Sequence, residues 1–101
     1  MPLESSGFHP KAWNEVSDRF DYQLLHFPEL ADEWLATAEQ VYASILRDPL
    51  QPREREFGHR RVKLGKFPHY FAYIIREDDI WVVAVGSCSQ EPLYWNKRLE
   101  D

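Results

Sequence analysis

The chain contains 101 residues, of which 44% are hydrophobic and 15% aromatic, which indicates one globular domain over residues 1–101. A formal net charge of −5 argues against a general nucleic-acid binder, and a single cysteine, Cys88, excludes an internal disulfide. No apolar run approaches the roughly 18–20 residues of a membrane span, and the first residues lack the pattern of a signal peptide. We therefore expect a cytoplasmic protein without membrane contact. The spacing of its histidines predicts no metal site, and we expect no cofactor.

Two amphipathic helices are predicted in the first half of the chain. Pro10 suits the first turn of a helix, and Pro28 opens a second helix, which Asp48 ends because it precedes Pro49. In both segments the apolar residues recur at spacings of three or four, as they do on one helical face. These faces comprise Trp13, Val16, Phe20, Leu24 and Phe27 in the first helix and Leu30, Trp34, Ala38, Val41 and Ile45 in the second.

The second half of the chain predicts strands. Residues 60–64 alternate between apolar and basic side chains, residues 70–75 form a second strand, and residues 80–86 form a third. The third segment is apolar at nearly every position, so we expect it to be the central strand of the sheet. A further short strand is expected near residues 7–8, ahead of the helices.

This order of elements, β-α-α-β-β-β, predicts an α+β fold. Two amphipathic helices are expected to pack on one face of a small antiparallel sheet. The opposite face would then display the side chains of Arg61 and Lys63.

The positive charge is concentrated in one part of the chain. Residues 49–76 carry seven basic and two acidic side chains, whereas residues 1–48 carry three basic and nine acidic ones. Two interpretations remain open: a positive face for phosphate or an acidic partner, or residues that only offset the acidic helices beside them. The basic residues are Arg53, Arg55, Arg60, Arg61, Lys63, Lys66 and Arg76.

Three short motifs follow one another in the second half of the chain. Residues 60–73 read RRVKLGKFPHYFAY, residues 80–85 read IWVVAV, and residues 91–95 read EPLYW, with Arg98 after them. Together with the element order, this series resembles the RelE/ParE toxin superfamily of type II toxin–antitoxin systems. The ParE-like plasmid-stabilisation branch is the most similar. The resemblance implies a single toxin domain of that α+β fold.

The ParE-like resemblance implies a bacterial growth inhibitor that acts by protein binding. Such toxins bind an essential target such as DNA gyrase, need no catalytic group, and are neutralised by a cognate antitoxin.

A RelE-like resemblance implies instead a ribosome-dependent mRNA endonuclease. That reaction needs cations on the phosphate and an acid and a base at the ribose and the leaving oxygen. Arg61 and Lys63 are the candidate phosphate clamps and His69 the candidate acid or base, with His59 as an alternative. Tyr73 or Tyr94 would assist.

A third alternative is a non-toxic homologue. The family usually has a histidine and a basic residue at the positions that Ser87 and Gln90 occupy in this chain.

Binding of nucleic acid or a partner protein would involve the basic segment and the aromatic residues near the predicted functional face. Trp13 and Trp34 are expected in the core, and Tyr94-Trp95 is expected to fasten the C-terminal tail. The candidate binding residues are Arg53, Arg55, Arg60, Arg61, Lys63, Lys66, Trp81, Tyr94 and Trp95.

Overall fold

The computed structural model describes residues 3–100 and has two helices packed against a three-stranded antiparallel sheet. This arrangement confirms the predicted α+β fold, and the predicted boundaries of the two helices and of the three strands after them agree within one residue. The helices are α1 (Pro10–His26) and α2 (Pro28–Arg47), and the strands are β1 (Arg60–Lys63), β2 (His69–Arg76) and β3 (Asp79–Ser87). Short 3-10 helices lie at Ser5–Gly7, Glu56–Gly58 and Asn96–Glu100.

Local chemistry sets the ends of the two helices. The His9 side chain accepts a hydrogen bond from the Lys11 amide at 3.0 Å, which satisfies one of the free N–H groups at the start of α1. Proline stands at the first position of both helices, where its missing N–H costs nothing. Asp48 ends α2 as predicted, because the residue before a proline avoids helical dihedrals.

The strand order is β1-β2-β3, so the expectation of a central β3 is wrong. β2 is central and pairs with both neighbours. β3 is apolar on both sides for a different reason: the helices cover one face of the sheet, and the C-terminal segment covers the other.

The predicted N-terminal strand is reduced to one residue. Ser5–Gly7 form a 3-10 helix, and only Phe8 pairs with the sheet, through a parallel bridge to Val82. The His9 amide donates to the Val82 carbonyl at 2.8 Å and extends this contact by one bond. The polar Ser5 and Ser6 are exposed, so a longer strand would bury no apolar side chain there.

The apolar face of α1 is displaced from the predicted one near its C-terminus. Leu24 and Phe27 are 47% and 43% exposed, whereas Gln23 is buried. The face of α2 packs as predicted, with Trp34, Ala38 and Ile45 buried and Leu30 and Val41 partly buried.

Each face of the sheet has its own core. The larger core lies between the sheet and the helices and includes Phe8, Trp34, Ile45, Phe71, Tyr73 and Val82. The smaller core lies under the C-terminal segment and comprises Tyr70, Ala72, Val83, Ala84 and Trp95.

Candidate functional site

A small pocket on the face of the sheet away from the helices gathers three of the predicted cations. It has a volume of about 290 Å³, and Arg55, Arg61 and Lys63 line it together with Tyr70. We call these four residues the cationic pocket. Its geometry follows from strand register, because Lys63 pairs with Tyr70 and both side chains therefore lie on the same face. The Arg61 guanidinium carbon lies 4.5 Å from the centre of the Tyr70 ring, a cation–π contact.

His59 holds Arg61 in place. Its Nδ1 lies 2.6 Å from the Glu56 carbonyl oxygen, so this nitrogen carries the proton and donates. The other nitrogen, Nε2, therefore accepts from Arg61 Nε at 3.3 Å and from Arg61 Nη2 at 3.1 Å. Burial lowers the pKa of His59, and the positive charge of Arg61 lowers it further. A neutral His59 thus orients the guanidinium.

His69 lies on the opposite face of the sheet from Arg61 and Lys63. The Trp34 indole donates to His69 Nδ1 at 3.1 Å, and the imidazole is 7% exposed. Burial lowers the pKa of His69 to about 4, with a contribution from the positive charge of Arg19. The structure therefore does not bring His69 together with the two cations that the sequence paired with it.

The remaining predicted cations are scattered. Arg60 turns toward the helices and donates to the Pro52 carbonyl at 2.6 Å. Lys66 pairs with Glu33 at 3.0 Å on the surface, and Arg53 is exposed. Of the six basic candidates, only Arg55, Arg61 and Lys63 share a pocket.

The aromatic candidates differ in accessibility. Trp95 is fully buried, so its side chain presents no surface to a partner in this conformation. Trp81 is partly buried under the Arg76 guanidinium, 4.2 Å from its ring centre. Tyr73 is buried on the helix side and donates to the Pro49 carbonyl at 2.7 Å.

A polar cluster that sequence patterns did not reveal fastens the C-terminal segment, which confirms that Tyr94-Trp95 locks the tail. Glu15 on α1 accepts from Arg98 at 2.9 and 3.0 Å and from the Tyr94 hydroxyl at 2.7 Å. Burial alone would raise the pKa of Glu15, but hydrogen bonds from Arg98, the Val85 amide and Tyr94 lower it. Burial and the bond to Glu15 raise the pKa of Tyr94. The sequence signal for this cluster was the position of Glu15, which lies between the buried residues Ala12 and Val16 of α1.

The positions where this chain departs from the expected family pattern form a local hydrogen-bond network. Gln90 Oε1 accepts from the Ser87 amide at 2.8 Å and from Arg19 Nη2 at 2.9 Å. Gln90 therefore connects the end of β3 to α1.

A larger open groove lies at the end of the helical hairpin. Its volume is about 810 Å³, and Tyr22, Phe27, Leu30 and Phe67 give it apolar walls. The imidazole of His69 also lines the groove. The other lining residues include Asp18, Arg19, Gln23 and Lys66, so the groove presents charged as well as apolar side chains.

Two kinds of feature are absent from residues 3–100. No helix in this range is long and apolar enough to cross a membrane. Within the same residues, no three histidine, cysteine or acidic side chains lie close enough to hold a metal ion.

A comparison with known protein families identifies the family of this chain. No curated protein matches the chain. A family model described as "ParE toxin of type II toxin-antitoxin system, parDE" matches residues 7–92, which include both helices, all three strands and the cationic pocket. Because the match extends over most of the chain, the protein belongs to the ParE toxin family of type II toxin–antitoxin systems, and this membership implies a cognate antitoxin.

Proposed function

We propose that this toxin inhibits bacterial growth by binding an essential cytoplasmic target, with DNA gyrase as the leading candidate, and that its antitoxin neutralises it by binding. The observation that carries the proposal is the separation of His69 from Arg61 and Lys63. A binding toxin needs a complementary surface and tolerates this separation, whereas a nuclease needs its acid, base and cations around one phosphate.

The two histidines nearest the sheet are also engaged elsewhere. His69 accepts from Trp34, and His59 donates to a carbonyl while it accepts from Arg61. Neither ring presents a free nitrogen lone pair beside the cationic pocket. This arrangement favours binding over acid–base catalysis.

Exposed apolar side chains offer anchors for a protein partner. Tyr22, Leu24, Leu25 and Phe27 at the helical hairpin are 51%, 47%, 77% and 43% exposed. Clusters of large apolar residues on a small protein mark interaction surfaces, where a few buried anchors supply most of the binding energy. The adjoining groove gives such a partner room to dock.

One observation supports the endonuclease alternative. Three cations line the cationic pocket, and none of its lining residues is acidic, which suits a phosphate. Under this alternative Arg61 and Lys63 would bind the phosphate, and a group outside the pocket would have to move the proton.

Tightly controlled expression in a bacterial host tests the proposal. We expect pulse-labelled DNA synthesis to fall before protein synthesis, and the purified toxin to inhibit gyrase supercoiling. The R61A/K63A variant and the matched surface variant K11A would be compared in the same assay.

Other outcomes separate the alternatives. Early loss of protein synthesis with mRNA fragments, abolished in R61A/K63A and retained in K11A, would favour the endonuclease. Normal DNA and protein synthesis with a folded protein would instead indicate the non-toxic homologue.

A further inference from the structure

Cys88, the single cysteine of the chain, lies beside the cationic pocket. Its exposed side chain lines the same cavity as Arg55, Arg61 and Lys63, which has a volume of about 290 Å³. The Cys88 amide donates to the Pro68 carbonyl at 2.9 Å, which fixes the backbone directly after β3. An exposed thiol reacts with small molecules that reach it, and the charges around it decide which molecules these are. Here those charges are three cations, since within residues 3–100 no acidic side chain lines the cavity.

These cations retain hydrogen-bond donors for a ligand. His59 engages Nε and Nη2 of Arg61, which leaves Nη1 of this guanidinium for another acceptor. Lys63 donates to the Gly65 carbonyl at 2.7 Å and keeps its other N–H groups. In the part of the chain that the structure describes, none of the three cations forms an ion pair with a carboxylate. Their positive charge is therefore available to an anion.

Tyr70 supplies a further donor that lacks an acceptor. Its side chain lines the same cavity, is 4% exposed, and lies against Gly86, where a Cβ atom would come within 2.5 Å of the hydroxyl oxygen. Among the described residues this hydroxyl has no hydrogen-bond partner. The indole N–H of Trp95 beside it can only donate, so it offers no acceptor for the Tyr70 proton. A buried donor without an acceptor is costly, and the oxygen atoms of an anionic ligand would satisfy it.

The cavity therefore favours a ligand that is both anionic and reactive toward a thiol. Disulfides of the glutathione type have these two properties, because each glutathione moiety carries two carboxylates and one ammonium group beside its sulfur. The cations would attract such a molecule, and its carboxylates would accept charge-assisted hydrogen bonds from them. The cavity is near the lower end of the roughly 300–1,000 Å³ that ligand pockets occupy, which suits a small ligand.

We propose that Cys88 is a modification site at which glutathione disulfide forms a mixed disulfide with the toxin, and that Arg55, Arg61 and Lys63 bind the carboxylates of the adduct. The Cys88 thiol loses its proton, and the resulting thiolate attacks one sulfur of the disulfide. The new bond joins Cys88 Sγ to this sulfur, the original S–S bond breaks, and the second glutathione leaves as a thiolate that takes up a proton. Glutathione disulfide is thus the oxidant, and one free glutathione is released for each adduct.

A disulfide between two copies of the chain is a poorer outcome at this cysteine. It would bring two sets of the same three cations together, and like charges at an interface oppose association. The adduct has the opposite effect, because it offsets the positive charge of the cavity. This modification is independent of the target on which the toxin acts.

Reaction rates of the purified, reduced toxin with two disulfides of opposite charge test this site. Glutathione disulfide is negatively charged and cystamine is positively charged, and intact-protein mass spectrometry follows both adducts. Dividing the ratio of the two rate constants by the same ratio for an uncharged cysteine peptide removes the intrinsic reactivity of each disulfide. We expect the toxin to favour glutathione disulfide by at least about tenfold at low ionic strength, and this preference to shrink at about 0.5 M salt. The net charge of −5 alone would favour cystamine.

Two double variants identify the charges responsible. R55Q/K63Q removes two cations from the cavity and should lower the preference for glutathione disulfide by at least about fivefold. The control K11Q/R47Q removes one lysine and one arginine from exposed positions on the helices, on the other side of the sheet, and should retain the preference. C88S should form no adduct. Denaturant unfolding verifies that the variants remain folded.

Three results would overturn the inference. A toxin that shows no more preference than the peptide would have an exposed thiol without a binding site. Equal losses in the two double variants would mean that net charge, not the cavity, sets the rate. A disulfide-linked dimer that forms faster than the adduct would identify a second copy as the partner of Cys88. Failure of the gyrase assay would leave these readouts unaffected, because they report the chemistry of Cys88 and not target binding.

Discussion

The two faces of the sheet are covered in different ways. On the helix side, the buried apolar residues form one core, which includes Phe8, Trp34 and Val85. The hydrogen bond from Trp34 to His69 lies within this core. On the other side, the C-terminal segment buries Trp95 against Tyr70, Ala72, Val83 and Ala84, and Glu15 bonds to Arg98 of this segment. The first cover depends on apolar area, whereas the second depends on a few polar anchors. Loss of one residue should therefore have different consequences on the two faces.

The largest effect is expected on the helix side. Trp34→Ala removes a fully buried indole and leaves His69 without its donor, so we expect the free energy of unfolding to fall by about 3–5 kcal/mol. Denaturant unfolding measures this loss. Leu25→Ala is the control, because Leu25 is 77% exposed, and it should change stability by less than about 0.5 kcal/mol. Similar losses for both variants would mean that the helix face is not the main core.

The next effect concerns the tail. Arg98→Met leaves the Glu15 carboxylate without its main partner, and the two side chains are only 13% and 14% exposed. We expect a loss of about 2–3 kcal/mol, below the full cost for a completely buried pair, together with faster exchange of the Trp95 indole N–H. The adjacent exposed cation gives the control Lys97→Met, which should have neither effect.

The double variant E15Q/R98M sharpens this comparison. It also removes the negative charge of Glu15, which Arg98→Met leaves buried without its partner. The double variant should therefore be more stable than Arg98→Met alone. A double variant that is less stable than the single one would show that the bonds of the Glu15 carboxylate to Tyr94 and the Val85 amide, and not its pairing with Arg98, hold the tail.

The third effect is pH-dependent and belongs to the helix side. His69 titrates at about 4 when folded and near 6.5 when unfolded, so the unfolded state binds more protons between these values. Stability should therefore fall as the pH drops through this window, by about 2 kcal/mol between pH 7 and pH 5. His59 contributes in the same direction, because its pKa is also lowered.

His69→Gln should remove most of this pH dependence, which chemical denaturation at the two pH values would measure. The matched variant His26→Gln changes an exposed histidine and should retain the full dependence. If His69→Gln keeps the slope as well, the low pKa of His69 does not control acid stability.

The sequence predicted the helices and strands well because their signals are local. The prolines at positions 10, 28 and 49 set the helix limits, and alternation set β1. The central strand was misassigned because apolar content does not distinguish a central strand from an edge strand covered on both faces. The buried face of α1 was misassigned near its C-terminus. The residues that pack there and elsewhere along the helix include Gln23 and Ala12, which were not part of the predicted apolar face.

The site was only partly predictable. Arg61 and Lys63 lie on the same face because they are two residues apart on one strand, and the alternating sequence predicted this placement. The same rule places His69 on the face opposite to its neighbour Tyr70, so its separation from Lys63 depended on the pairing register, which the sequence did not provide. The Glu15 cluster joins residues 83 positions apart, and no local pattern encodes such a contact.

The segments before α1 and after β3 both bond to β3. The segment before α1 reaches this strand through His9, and the tail reaches it through Arg98, while β2 separates both from β1. A change in either segment should therefore act on β3 rather than on β1.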